Sequence, residues 1–160
     1  MQTLIVYASN TGTTKECAYL LKDKLKNATL IDLSVQDVNI ESYDLIIIGS
    51  SIKVGKFHKK VTEFIKKNHS LLKNKKVAYY ICCGFSDNYQ TYFKNNLPEG
   101  LLNTALIYET FGGIIDISKL KGLDKFIANM VSKTEDGKKE IKLLNDNIDN
   151  FIDVINKEIL

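Results

Sequence analysis

Ser9-Asn10-Thr11-Gly12-Thr13-Thr14 lies between a short apolar run, Leu4 to Ala8, and a segment, Lys15 to Lys26, that sets Ala18, Leu21 and Leu25 on one helical face. One Gly and five hydroxyl or amide residues at a strand-to-helix junction can surround a dianionic phosphate with backbone N–H groups and hydroxyls, at the positive end of the helix. No cationic side chain is needed inside such a loop. The plainer alternative is a Ser/Thr-rich turn with an ordinary helix cap. A dinucleotide fingerprint would need three glycines and a P-loop would need Gly-Lys-Ser/Thr, so both are excluded.

A cradle that works without cations matters here, because all 22 basic residues of this 160-residue chain are Lys and none is Arg. Phosphate loops built on Cys and Arg, arginine fingers and bidentate Arg readout of guanine all require a planar guanidinium, and nucleic acid is not an expected partner. The formal charge of +3 is unevenly spread: Lys53 to Lys76 holds nine Lys and one acid, Glu63, a local +8, while the remainder sums to −5. Part of that stretch reads as a solvated Lys-rich helix face. Lys53, Lys56, Lys59 and Lys60 cluster instead around a second polar segment, Ser50 to Phe57.

The other reactive side chains are few. Cys17, Cys82 and Cys83 are odd in number and lack paired C-x-x-C spacing, and no His sits at ligand spacing, so neither a disulfide framework nor a zinc site is expected. A vicinal Cys82–Cys83 disulfide is conceivable, but one buried thiol and one thiol near a loop is the simpler reading. His58, at a helix start, suits either a proton donor or a capping residue. A reducing cytoplasm is the expected setting. The N-terminus shows no basic leader, and no apolar run approaches the ~20 residues of a membrane span, which leaves only surface association with a membrane open.

The elements that must position these residues follow from the apolar pattern. Strands are predicted at Leu4 to Ala8, Thr29 to Leu33, Tyr43 to Gly49, Lys76 to Cys82 and Thr104 to Phe111, and the Ile-rich run Leu45 to Ile48 reads as a strand covered on both faces. Between them fall the helix after Thr14, one over Phe57 to Asn68 carrying Val61, Phe64 and Ile65, and one capped by Ser86-Asp87 that ends at Leu97-Pro98. A short helix near Leu120 to Ser132 and a last helix from Asn145 or Asp146, with Ile148, Phe151, Ile152, Ile155 and Ile159 inward, complete the series. The alternation gives one α/β domain over residues 1–160, a five-stranded parallel sheet with helices on both faces. Ligands of such sheets bind beyond the carboxyl ends of the strands, which singles out the loops Ser9 to Thr14, Gly49 to Phe57 and Cys83 to Asp87.

The first loop reproduces the Ser/Thr-x-Thr-Gly-x-Thr pattern, and on it the chain resembles the flavodoxin family, which binds flavin mononucleotide (FMN). The resemblance implies a flavodoxin-like three-layer sandwich with strand order 2-1-3-4-5. It also implies cofactor contacts from Ser9, Asn10, Thr11, Gly12, Thr13 and Thr14 to the phosphate, and from Ser50, Ser51, Ile52, Lys53, Val54, Gly55 and Phe57, with Cys83, Gly84 and Phe85, around the isoalloxazine ring. The segment Ile48 to Lys59 is similar to the flavin loop of menaquinone-dependent protoporphyrinogen dehydrogenases, as are Phe111-Gly112-Gly113 and Leu123-Asp124-Lys125-Phe126-Ile127. Two features depart from that subgroup: Val54 stands where an aromatic is usual, and Cys83 to Asn103 is shorter and less basic. With Val54 unable to stack, Phe57, Phe85 or Tyr89 is expected to cover the ring.

Three functions are consistent with this pattern. One is an FMN-dependent dehydrogenase taking hydrogen from a porphyrinogen-like, carboxylate-bearing substrate and delivering electrons to a quinone or other acceptor. Another is an electron shuttle that docks with an acidic redox partner protein. A third, a flavin-free binding module, is disfavoured by the intact first loop. Response regulators share the strand order but need acidic residues after the first strand and an Asp after the third; Ser9-Asn10 and Gly49-Ser50 stand there instead.

Overall fold

The computed structural model describes residues 1–113 and 142–159. The helix expected near Leu120 to Ser132, with its Leu123 to Ile127 segment, lies outside those residues. The strands are β1 (Thr3–Ala8), β2 (Ala28–Asp32), β3 (Leu45–Lys53), β4 (Lys56–Phe57), β5 (Lys76–Cys82) and β6 (Ile107–Thr110). The helices are α1 (Thr13–Lys24), α2 (Lys59–Lys67), α3 (His69–Leu72), α4 (Tyr89–Asn96), α5 (Glu99–Asn103) and α6 (Asn145–Ile159).

The sheet runs β2-β1-β3-β5-β6 with every pairing along that path parallel. This is the expected order, with the fourth and fifth predicted strands appearing as β5 and β6. The central strands are buried on both faces, and the period of two sorts their side chains into two cores. Leu4, Val6, Ile46, Ile48, Val77, Tyr79 and Ile81 pack under α2 and α4, whereas Ile5, Tyr7, Leu45, Ile47, Ala78, Tyr80 and Cys82 pack under α1 and α6. Each fully buried Ile or Leu contributes about 1.5–3 kcal/mol. α6 buries Ile148, Phe151, Ile152 and Ile155, and Phe151 meets Phe111 edge-on at 5.2 Å while Tyr80 stacks on Phe111 at 4.6 Å.

Three local expectations are corrected. The third strand does not end at Gly49 but continues to Lys53 and folds back through β4 as a short antiparallel hairpin, with Ile52 opposite Phe57 and Lys53 opposite Lys56. The fifth strand starts at Ile107 rather than Thr104, because α5 occupies Glu99–Asn103 and the Thr104 hydroxyl donates to Gly100 O at 2.9 Å. Ser86 and Asp87 open a 3₁₀ turn, Ser86–Asn88, rather than capping a helix, and α4 begins only at Tyr89. The polar segment after α2 also contains the extra turn α3.

Candidate functional site

The parallel register aligns the strand ends: Ala8 pairs with Ser50, Ser51 with Cys82, and Ile81 with Thr110. The three singled-out loops therefore emerge from one edge of the sheet. The chain leaves β1 for β2 on one side and returns to β3 on the other, which makes this the point where the strand order reverses.

The first loop is shaped by Gly12, which sits at φ +102°, a conformation that side-chain-bearing residues rarely adopt. Its N–H donates to Ser9 Oγ at 2.9 Å, closing the loop, and a Cβ there would meet nothing within 4 Å. The space before this turn is open. Gly12 stands at the N-cap of α1 and supplies no side-chain cap, so the helix presents its positive end to that space. Thr13 and Thr14 are buried, and the Thr14 hydroxyl lacks a conventional hydrogen-bond partner, approaching only the weakly bonding Cys82 thiol. An open, glycine-turned strand-to-helix junction with an uncapped helix and a buried unsatisfied hydroxyl fits a phosphate dianion. Ser9 and Thr11 are half-buried and Asn10 is exposed on the same loop.

Tyr80, which sequence reasoning did not single out, supports this loop from below. Its fully buried ring crosses β3 at Gly49, where an added Cβ would lie 2.1 Å from the ring, and its hydroxyl donates to Thr14 O at 3.1 Å. Burial pushes its pKa well above the ordinary tyrosine value, so the phenol stays protonated as a donor. The paired signal in the sequence was a Gly beside a Tyr on adjacent strands, legible only once the register is known.

The second loop is the β3–β4 hairpin. Ser50 Oγ donates to Ser51 O and accepts from the His58 N–H, both at 2.9 Å, while the buried Ser51 hydroxyl has no partner among the described residues. Ile52 is half-buried, and Lys53 and Val54 are exposed, with Val54 79% accessible. Phe57 is 6% exposed and lies in the core, edge-on to Phe93 at 5.8 Å. Tyr89 meets Phe93 edge-on at 6.4 Å, and Phe85 remains half-buried on the third loop.

His58 caps α2, with Nδ1 accepting from the Lys60 N–H at 3.2 Å. Its pKa is lowered, first by burial and then by Lys60, against the opposing pull of Asp32 and Glu63. The ring is therefore neutral near pH 7, as an acceptor must be.

The third loop is fixed by Cys83, whose N–H donates to Gly112 O at 2.8 Å and whose thiol lies 3.5 Å from Thr110 Oγ1. Gly113 packs so tightly on Cys83 that a Cβ would fall 3.1 Å from its carbonyl carbon and oxygen. Gly84 and Phe85 follow, half-buried. All three cysteines are free and buried: Cys82 pairs with Cys17 at 3.7 Å, sulfur to sulfur, while Cys83 stands at the start of the third loop, where burial raises its thiol.

The basic stretch divides in two. Lys67 pairs with Asp37, Lys76 with Glu158 at 2.8 Å, and Lys75 donates to Glu41 O and Tyr43 O at 2.9 and 2.5 Å. Those lysines have partners elsewhere on the fold. Lys53, Lys56, Lys59 and Lys60 stay exposed around the hairpin, with Lys59 3.8 Å from Glu63. Among the described residues no cluster of His, Cys, Asp or Glu is placed to hold a metal, and no helix is long and apolar enough to cross a membrane.

Comparison with known proteins agrees with this arrangement. A family model for the flavodoxin domain matches residues 4–142. Protoporphyrinogen IX dehydrogenase [quinone] of Escherichia coli strain K12 is 33% identical over 85 residues, which are 50% of this chain and 47% of that protein. The chain thus spans about half the length of the curated relatives it matches. Among solved structures, oxidised flavodoxin 1 of Bacillus cereus superposes with a TM-score of 0.56 at 15% identity, over 96% of this chain and 93% of that one. Fusobacterium nucleatum flavodoxin bound to flavin mononucleotide gives 0.53 at 15% identity over 99% of both chains. With the strand order, the switch-point loops and a family match over most of its length, the chain belongs to the flavodoxin domain family.

Proposed function

We propose that this protein is an FMN-dependent oxidoreductase that moves electrons from a carboxylate-bearing, porphyrinogen-like substrate to a quinone or other acceptor. The observation that carries the reading is the first loop, where an uncapped α1, the Gly12 turn and the unsatisfied Thr14 hydroxyl together suit the phosphate of a flavin mononucleotide. Ser9, Asn10, Thr11, Gly12, Thr13 and Thr14 would hold that phosphate. Ser50 to Gly55, with Cys83, Gly84 and Phe85, would border the ring, and the half-buried Phe85 or Tyr89 would cover it. The flavin supplies the electron chemistry, while the protein orients and tunes it. The substrate class rests on the relationship to protoporphyrinogen IX dehydrogenase and on the exposed lysines of the hairpin, which suit carboxylates. A cytoplasmic setting suits three free thiols.

The second reading, a shuttle that docks with an acidic redox protein, draws on the same hairpin, where Val54 projects between exposed lysines. Purified protein should be yellow or become so on reconstitution with FMN; protein that stays colourless and binds no FMN overturns both readings. Anaerobic bleaching by protoporphyrinogen, reversed by menaquinone analogues, is expected of the dehydrogenase. Flavin reduced only by a ferredoxin or flavin reductase would establish the shuttle instead.

A further inference from the structure

Two features at the tip of the β3–β4 hairpin break local rules together. Lys53 and Lys56 lie directly opposite one another, a like-charged cross-strand pair. Between them Val54 has φ +50° and Gly55 φ +71°, the positive pair that defines a type I′ turn. That turn favours Asn-Gly or Asp-Gly, and a β-branched residue in the left-handed region is an outlier. Such strain persists only where surrounding structure over-determines it.

The over-determination comes from α4. The Asn96 side chain donates through Nδ2 to Gly55 O at 2.8 Å and to Tyr92 O at 2.7 Å, and its Oδ1 accepts from the Phe57 N–H at 3.0 Å. Both amide hydrogens and the oxygen are therefore used, and two of the three bonds grip the hairpin. The Tyr92 ring faces Gly55, and the Phe93 ring meets Phe57. α4 itself starts just after the third loop, so it ties the second and third loops of the site together. We infer that Asn96 is a positioning residue that holds the Val54–Gly55 turn in the shape the flavin edge meets, an inference that rests on the FMN reading above.

The test compares wild type with Asn96→Ala and Asn96→Asp in two backgrounds, native and Val54→Asn. The Asp variant keeps an acceptor for the Phe57 N–H and loses the donor to Gly55, which guards against a merely misfolded Ala variant. Asn74→Ala is the control, since Asn74 makes a similar helix-end bond, to Ser70 O at 3.3 Å, away from the site. FMN titration should show affinity weakened roughly tenfold by either Asn96 change, as expected for a lost half-buried hydrogen bond that also orders a turn, with Asn74→Ala unchanged. The visible circular dichroism of the bound flavin should alter in parallel. In the Val54→Asn background, where Asn-Gly favours the turn by itself, the loss should shrink to about twofold or less. Wild type that binds FMN while both Asn96 variants bind it equally well with the native spectrum overturns this inference alone, as does an equal loss in both backgrounds. Wild type that binds no FMN overturns the proposed function, and the inference falls with it.

Discussion

A buried hydroxyl without a hydrogen-bond partner costs stability unless the fold is built to receive something that completes it. Thr14 is fully buried in the first turn of α1 and comes close to that condition, its hydroxyl reaching only the weakly bonding Cys82 thiol, while Thr11 on the same loop is half-buried. Replacing Thr14 with Val removes the unsatisfied oxygen at nearly constant shape, so the cofactor-free protein should be unchanged or stabilised by up to about 1 kcal/mol, while FMN affinity falls about tenfold or more. Urea unfolding and FMN titration of the same variant read the two effects. Equal affinities would show that the hydroxyl is not part of the phosphate site. The sequence marks the whole run Ser9 to Thr14 without ranking its hydroxyls. Ranking needs burial, and burial depends on Tyr80 and Cys82, which lie more than sixty residues away along the chain.

Elements whose residues answer to one neighbour are legible from periodicity, and those that depend on partners are less so. α1, α2 and α6 bury the faces their spacing indicates, and β5 matches its predicted limits at Lys76 and Cys82. The hairpin was invisible because apolar content ends near Gly49 and Val-Gly carries no turn signal; it forms because Ser50, Asn96 and Phe93 hold it from outside. The start of α2 lends itself to a test. His58 Nδ1 caps the helix only while unprotonated, and its folded pKa is lowered. Between that lowered value and the ordinary value of about 6.5, the unfolded chain binds more protons than the folded one, so stability is lost as pH falls through the window. The urea midpoint should therefore drop from about pH 7.5 to about pH 5.5, and His58→Asn, which retains a cap without titrating there, should drop less. Equal drops would remove His58 from the account of acid sensitivity.

At the scale of the molecule, the sheet is a wall shared by two cores, and the cysteines happen to sample both. Cys83 belongs to the core under α2 and α4, and Cys17 and Cys82 to the core under α1 and α6. The pattern of strands alternating with helices was enough to foresee two covered faces. It could not say which thiol faces which, because a one-residue difference in register exchanges the faces. The same strands β1, β3 and β5 supply the floor of both cores, so neither core can lose its packing without exposing the backs of the strands that line the other. The hydrogen bond with Cys17, and after it burial, raises the Cys82 thiol, and burial raises that of Cys83, which keeps both unreactive until they reach solvent. If the two halves open only together, the three thiols should react with a thiol reagent at one common rate, and mild denaturant should raise that rate in proportion to the global unfolding equilibrium. Mass-resolved labelling of each cysteine measures this directly. Faster labelling of Cys83 than of Cys17 and Cys82 would mean that the α2–α4 layer, which carries the Asn96 clamp, opens by itself, and the hairpin would then be held by a separately mobile part of the fold.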